Sequence, residues 1–287
     1  MYAMFDFYQP VSSLTHLIAG IITLGSGYFL IRRGWGNKLR VVSLLVFMAG
    51  IVFVFMMSGV YHALEPGLGR DVFRRLDYAA IFTMIAGTAT PIHVILFRGI
   101  WRWGMLIYLW FVAIAGLLFT VILLDQIPEW LTLSVFIAMG WSALMSMLQA
   151  WRLYGFHSIS FAFYGGLAYS LGAAIDFTRS MELIPGFIGP HEIFHVFVII
   201  GASFHWFLIY RWANQPTRNK IVFMVKEQAD DKLWARSVGE SYEIFATSRK
   251  ELRNKIREML NARVHPRLVP QKVRFRFYKD VVVSLPK

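Results

Sequence analysis

Cysteine is absent from the 287 residues, which removes disulfides, iron–sulfur clusters and thiolate metal sites together. Any transition metal bound by this chain must be held by His, Asp or Glu. Charge is scarce as well: 16% of residues are charged, against about 25% in an ordinary soluble domain. Acids are scarcer than bases, 17 against 29, for a formal net charge of +12. Met1 to Pro10 contains no basic residue ahead of its apolar run, so nothing there looks like a cleavable signal. What abounds is apolar, 57% hydrophobic and 16% aromatic. A soluble protein of this length cannot hide so much apolar surface, whereas a bilayer accepts it.

A spanning helix needs about 20 mostly apolar residues. Seven such stretches are legible: Val11–Ile31, Val41–Leu64, Tyr78–Phe97, Met105–Leu124, Trp130–Ala150, Ser158–Phe177 and His191–Tyr210. The breaks between them are short and polar or rich in Gly and Pro. Pro128 and Pro190 stand where helices begin, where a missing N–H costs least. Pro91 lies inside the third span and is expected to kink it. The expected fold class is an all-α integral membrane protein, a seven-transmembrane helix bundle over residues 1–213. A small basic soluble α+β domain, ββαβ-like, is expected over residues 214–287.

That tail changes character. Ile221–Val225 and Val273–Phe277 read as strands, and Trp234–Phe245 has room for another. Ser248 to Glu251 is a capping box opening a helix whose Leu252, Ile256, Met259 and Leu260 share one face. Beyond Ala213 there are 17 Lys and Arg against 8 Asp and Glu, while the first 213 residues hold 12 against 9. A tail this basic on a membrane protein has an anionic lipid surface as its nearest partner, and no nucleic acid is expected. It shows no catalytic pattern, and a regulatory or oligomerising role is the plainer reading.

Ionisable groups at bilayer depth are costly and mark function by default. Let side A be the face where the first span starts. Odd spans begin at A and even spans end there. His16, early in the first span, then lies level with Ser58 and His62, late in the second, and with Asp77 at the start of the third. Asp176, late in the sixth, and His191 and His195, opening the seventh, reach the same depth. His191 and His195 are four apart, so their rings share a helix face. A His62, His191, His195 set supplies three nitrogen ligands to zinc and leaves a fourth position open. Asp77 is placed to accept a proton from water, and Ser58 to orient Asp77 or a substrate carbonyl.

Plainer readings exist for each. A membrane-buried His commonly hydrogen-bonds a neighbouring helix. Asp77 follows Arg74 and Arg75, and Asp176 precedes Arg179, so both have ion-pair readings, the stronger for Asp176. His16 reads equally as packing or as support behind the ligands. His205 lies about 21 Å along the helix from His191 and, with His93, belongs to side B. His157 is interfacial and His265 is in the tail. The stretch His191-Glu-Ile-Phe-His195 also satisfies the H-E-x-x-H pattern of zinc proteases, with Glu192 as general base. No acid follows before Glu227 to serve as the usual third ligand.

Ser58-Gly-Val-Tyr-His62, Arg75-Leu-Asp77-Tyr-Ala-Ala-Ile-Phe, Ile85-Ala-Gly-Thr-Ala-Thr-Pro91 and Pro190-His-Glu-Ile-Phe-His195 together resemble the hemolysin III branch of the progestin and adipoQ receptor family. The likeness covers about residues 8 to 212, and the tail lies outside it. It departs from the family pattern at Ala89, where Tyr is expected, and at Ser12, where Asn is common. The resemblance implies zinc held by His62, His191 and His195, with Ser58 and Asp77 beside it. It also implies hydrolysis of lipid amides, ceramide-like in the receptor members.

Three functions follow as expectations. The first is a zinc-dependent hydrolase of lipid amide or ester bonds. The second is a non-enzymatic receptor or pore-forming, cytolytic protein stabilised by zinc. The third is an intramembrane protease using Glu192. Side B carries Arg32, Arg33, Lys38, Arg40, Arg98, Arg102, Arg152 and Arg211, and side A only Arg70, Arg74, Arg75 and Arg179. The positive-inside rule then places a multi-pass protein in the cell membrane with its C-terminal domain in the cytoplasm. The receptor members are oriented the other way.

Overall fold

The computed structural model describes residues 7–217, 220–227 and 232–278. The chain divides into two compact units, Met1–Arg33 with Val42–Ala213, and Gly34–Val41 with Asn214–Lys287. Seven helical spans are long and apolar enough to cross a membrane. They are formed by α1 (Pro10–Gly34), α2 (Lys38–Ala63), α3 (Leu68–Leu96), α4 (Ile100–Leu123), α5 (Glu129–Ser142) with α6 (Leu144–Tyr154), α7 (Phe156–Thr178) and α8 (Pro190–Trp212). Pro190 occupies the first turn of α8 and Pro128 precedes α5.

Apolar side chains such as Ile21, Ile22, Ile107 and Phe111 stand exposed on the outer surface, as a hydrocarbon solvent requires. The interior is built on Phe47, Ile51 and Phe55 of α2, packed with Ala80 and Met84 of α3 and Ile209 of α8. Backbones cross closely between α2 and α3. A Cβ on Gly50 would sit 2.9 Å from the Thr83 carbonyl oxygen, and one on Gly87 3.2 Å from that of Val46. Small residues let membrane helices approach this far, and dispersion contacts then hold them.

Three expectations need correction. The third helix starts at Leu68, ten residues before Tyr78, so Asp77 lies in its third turn and not at its start. Hydropathy detects only the part of a helix at lipid depth. The polar extension is satisfied differently, by Arg74 and Arg75 pairing with Asp125 and by Arg75 reaching the Val121 carbonyl at 2.8 Å. The fifth span is two helices, broken at Ala143, where the Ser142 hydroxyl bonds back to the Met139 carbonyl at 2.6 Å and competes with the helical pattern. The tail has one strand more than ββαβ. Helix α3 runs on through Pro91.

In the second unit, β1 (Lys220–Glu227), β2 (Leu233–Val238) and β3 (Glu243–Ala246) form antiparallel neighbours. Helix α9 (Arg249–Arg263) then crosses over to β4 (Lys272–Tyr278), which pairs parallel with β1, giving the order β3-β2-β1-β4. Ser248 caps α9 by accepting the Glu251 amide at 3.1 Å. Leu252, Ile256 and Leu260 of α9 are buried, as are Ile221, Phe223, Val225, Ala235 and Ile244 on alternate strand positions. That leaves the sheet one covered face and one open face.

The unit also buries an ion pair, Arg40 with Glu240 at 2.8 Å, their side chains 2% and 7% exposed. Arg40 further donates to the carbonyls of Gly34, Trp35 and Gln215. Asn37 bridges the other Glu240 oxygen, at 3.0 Å, to Thr217, at 2.9 Å. A buried ion pair is tolerable when its remaining hydrogen-bonding capacity is filled in this way.

Candidate metal centre

Helix alternation in the first unit brings the end of α2 to the starts of α1 and α8. His62 Nε2 lies 3.2 Å from His191 Nε2, which lies 3.1 Å from His195 Nε2. Among the described residues these three form a group able to hold a metal ion, their ligand atoms all within 4.8 Å of one another.

The outer ring nitrogens fix the tautomers. His62 Nδ1 faces Gln9 Oε1 at 2.6 Å, and the same oxygen accepts from Arg70 at 2.9 Å, so it is an acceptor. His191 Nδ1 faces the Asp176 carboxylate at 3.3 Å. His195 Nδ1 faces the Ser12 carbonyl at 3.2 Å. Each Nδ1 must therefore donate, which leaves three Nε2 lone pairs aimed at a common point. Lone pairs so disposed repel unless a cation lies between them. Nitrogen ligands about 2.0–2.1 Å from a tetrahedral ion stand about 3.4 Å apart, close to the spacings found here. Backing of the second ring nitrogen by a carbonyl or carboxylate is the usual support of metal-bound histidines. The residues fit a metal ion.

The remaining polar residues divide sharply. Asp77 and Ser58 line the same cavity as His16, His191 and His195. The cavity, of about 280 Å³, has largely apolar walls and extends to Leu96, Phe97 and Leu208 near the opposite ends of α3 and α8. His16 stacks flat on His195, ring centroids 3.8 Å apart. Glu192 is engaged on both carboxylate oxygens. One of its oxygens accepts the Ser12 hydroxyl at 2.7 Å and the other the Gly189 amide at 3.1 Å, closing the capping box of α8.

Three supports stand behind the histidines: Asp176, Gln9 and Ser12. Asp176 does pair with Arg179, at 2.6 Å, yet its other oxygen holds His191. Gln9 precedes the first apolar run, and its side-chain oxygen backs His62. Ser12 was marked only as a departure from a family pattern, yet its carbonyl and hydroxyl tie α1 to His195 and Glu192. The depth argument that gathered the histidines reaches Asp176 too, but nothing local in the sequence points to Gln9. His93, His157, His205 and His265 stay outside the cluster. His93 Nδ1 is taken by the Trp101 carbonyl at 2.7 Å.

A family profile described as haemolysin-III related matches residues 8–206. The chain is 27% identical over 203 residues to hemolysin-3 of Bacillus cereus, covering 70% of this chain and 90% of that one. It is 23% identical over 203 residues to the hemolysin-3 homolog of Bacillus subtilis, covering 70% and 92%. Heptahelical transmembrane protein 3 of Arabidopsis thaliana is 33% identical over 184 residues, covering 56% and 52%. With the seven spans and the matched region in register, the chain belongs to the haemolysin-III-related family, within the wider group of progestin and adipoQ receptor proteins.

Proposed function

We propose that this protein is a zinc-dependent membrane hydrolase acting on a lipid amide or ester, ceramide-like in its chemistry. The observation that carries the reading is a group of three converging imidazoles, two of which, His191 and His195, line an apolar cavity that Asp77 also lines. Three neutral nitrogens with no fourth ligand in the group suit zinc and leave its charge undiminished. When bound, zinc supplies Lewis-acid polarisation of a carbonyl and makes water more acidic.

The chain's own residues do the rest. The apolar walls take up the hydrocarbon part of a lipid and exclude bulk water. A substrate so anchored presents its polar linkage to the Asp77 and His191 end of the cavity. Asp77 accepts the proton of the attacking water at a carboxylate oxygen and returns it to the departing amine or alcohol. Water thus adds across the bond, giving a carboxylic acid and the freed partner. Ser58, on the wall of the same cavity, orients the Asp77 carboxyl or the substrate carbonyl. His62, His191 and His195 are kept in the correct tautomer by Gln9, Asp176 and Ser12.

Asp77→Ala separates chemistry from metal binding, since Asp77 lies outside the ligand group. The variant is expected to keep a full complement of zinc and to lose turnover of ceramide-like amides by about 10²–10⁴-fold. Full activity in the variant would end the role given to Asp77. A wild-type protein that carries zinc but hydrolyses none of a panel of lipid amides and esters would favour the non-enzymatic receptor or pore reading. The charge bias of the span ends supports a C-terminal unit in the cytoplasm of a cell-membrane protein. A reporter fused after Lys287 tests that, and activity only on the outer side would reverse it.

A further inference from the structure

Strand register fixes what the open face of the C-terminal sheet displays. Phe245, Trp234, Lys226 and Tyr278 lie side by side in one row across the four strands. The next row is Glu243, Arg236, Met224 and Arg276, and the one after it Val238, Val222 and Arg274. Lys220 and Lys272 are paired at the end. Among the described residues the face therefore carries six cations against a single carboxylate, and Glu243 is already engaged by Arg236 at 3.4 Å. Its large apolar groups are not sheltered: Phe245 is 59% exposed and Val238 56%.

We infer that this face binds the anionic headgroup surface of a phospholipid bilayer. Charge is complementary, with Lys and Arg set to meet phosphate and other anionic groups. Aromatic side chains between the cations suit an interface where one end of a group is wet and the other apolar, which is where Trp and Tyr gather in membrane proteins. Chain connectivity supplies the proximity. Asn214 follows directly on the last span, and Gly34–Val41, which belongs to this unit, joins the first span to the second. A surface held at two points to spanning helices meets headgroups at a far higher effective concentration than any soluble polyanion. The same aromatic and basic composition serves single-stranded nucleic acid in other proteins, and the experiment separates the two.

The test exploits the absence of cysteine. Val238→Cys in the full-length chain gives a unique thiol on the open face for an environment-sensitive fluorophore, with Phe245→Cys as a second position. The protein is reconstituted in nanodiscs of phosphatidylcholine alone or of phosphatidylcholine with phosphatidylglycerol. Quenching by acrylamide, a neutral aqueous quencher, is expected to fall several-fold only in the anionic discs and to recover in high salt. Arg274→Glu with Arg276→Glu should weaken this protection by about tenfold. Arg253→Glu with Arg257→Glu, which changes the unit's charge equally from exposed positions on α9, should leave it intact. Equal quenching in the two kinds of disc, or equal loss of protection in both variant pairs, overturns the inference. So does protection by a single-stranded oligonucleotide in phosphatidylcholine discs when anionic lipid gives none.

Discussion

Two buried polar clusters, one in each unit, gather residues from remote stretches of the chain, and they are filled in opposite ways. Around Arg40 and Glu240 donors meet acceptors: guanidinium against carboxylate and three carbonyls, the Asn37 amide against carboxylate and hydroxyl. Around His62, His191 and His195 the outer nitrogens are satisfied and the inner ones face each other. The first cluster is complete as protein. The second leaves a place where a metal ion can be held. Polar groups that close upon themselves specify structure, whereas acceptors that converge without a donor specify a ligand.

The contrast can be broken from either end. His191→Ala with His195→Ala removes two of three ligands, and metal analysis of the purified protein should fall from one zinc per chain to essentially none. Stoichiometric zinc in that variant would remove the metal centre altogether. Arg40→Ala leaves Glu240 buried without its cation and should destabilise the C-terminal unit by about 3–5 kcal/mol. Hydrogen exchange across the described strands would report the loss, with zinc content unchanged. A drop in zinc of equal size would show the clusters to be coupled.

Asp176→Asn sharpens the comparison further by keeping shape and removing charge behind His191. Zinc affinity should weaken about 10–100-fold in a chelator competition while the spans stay folded. The smallest effect concerns Glu251. Lys255, then the Thr247 hydroxyl and amide, hold its carboxyl down from 4.5 to about 2. Its stabilisation of the C-terminal unit is thus fully present above pH 4.5 and is lost as pH falls toward 2. Melting of that unit followed between those limits should lose a small increment that Glu251→Gln does not show.

The seven spans were legible because bilayer thickness imposes a length and a composition. The histidine cluster was legible for a related reason: alternation of span direction turns sequence position into depth, and depth is what His62, His191 and His195 share. Where a helix leaves the lipid the signal fails, which is why α3 begins so far ahead of its apolar stretch. Arg40 and Glu240 are 200 residues apart, and no periodicity or motif joins them. Their pairing is set by tertiary packing alone. The extra strand was hidden because Trp234–Phe245 is divided by a turn at Gly239, whose φ of +80° suits glycine.

The hydrogen bonds from Ser12 to the head of α8 join the first span made to the last. Membrane proteins enter the bilayer span by span from the N-terminus. His62 and the supports on α1 are therefore in place long before either His191 or His195 exists. The three-histidine group is completed only in the final moments of biogenesis, once the seventh span has been made. A chain arrested before its seventh span has only one of the three grouped histidines, His62.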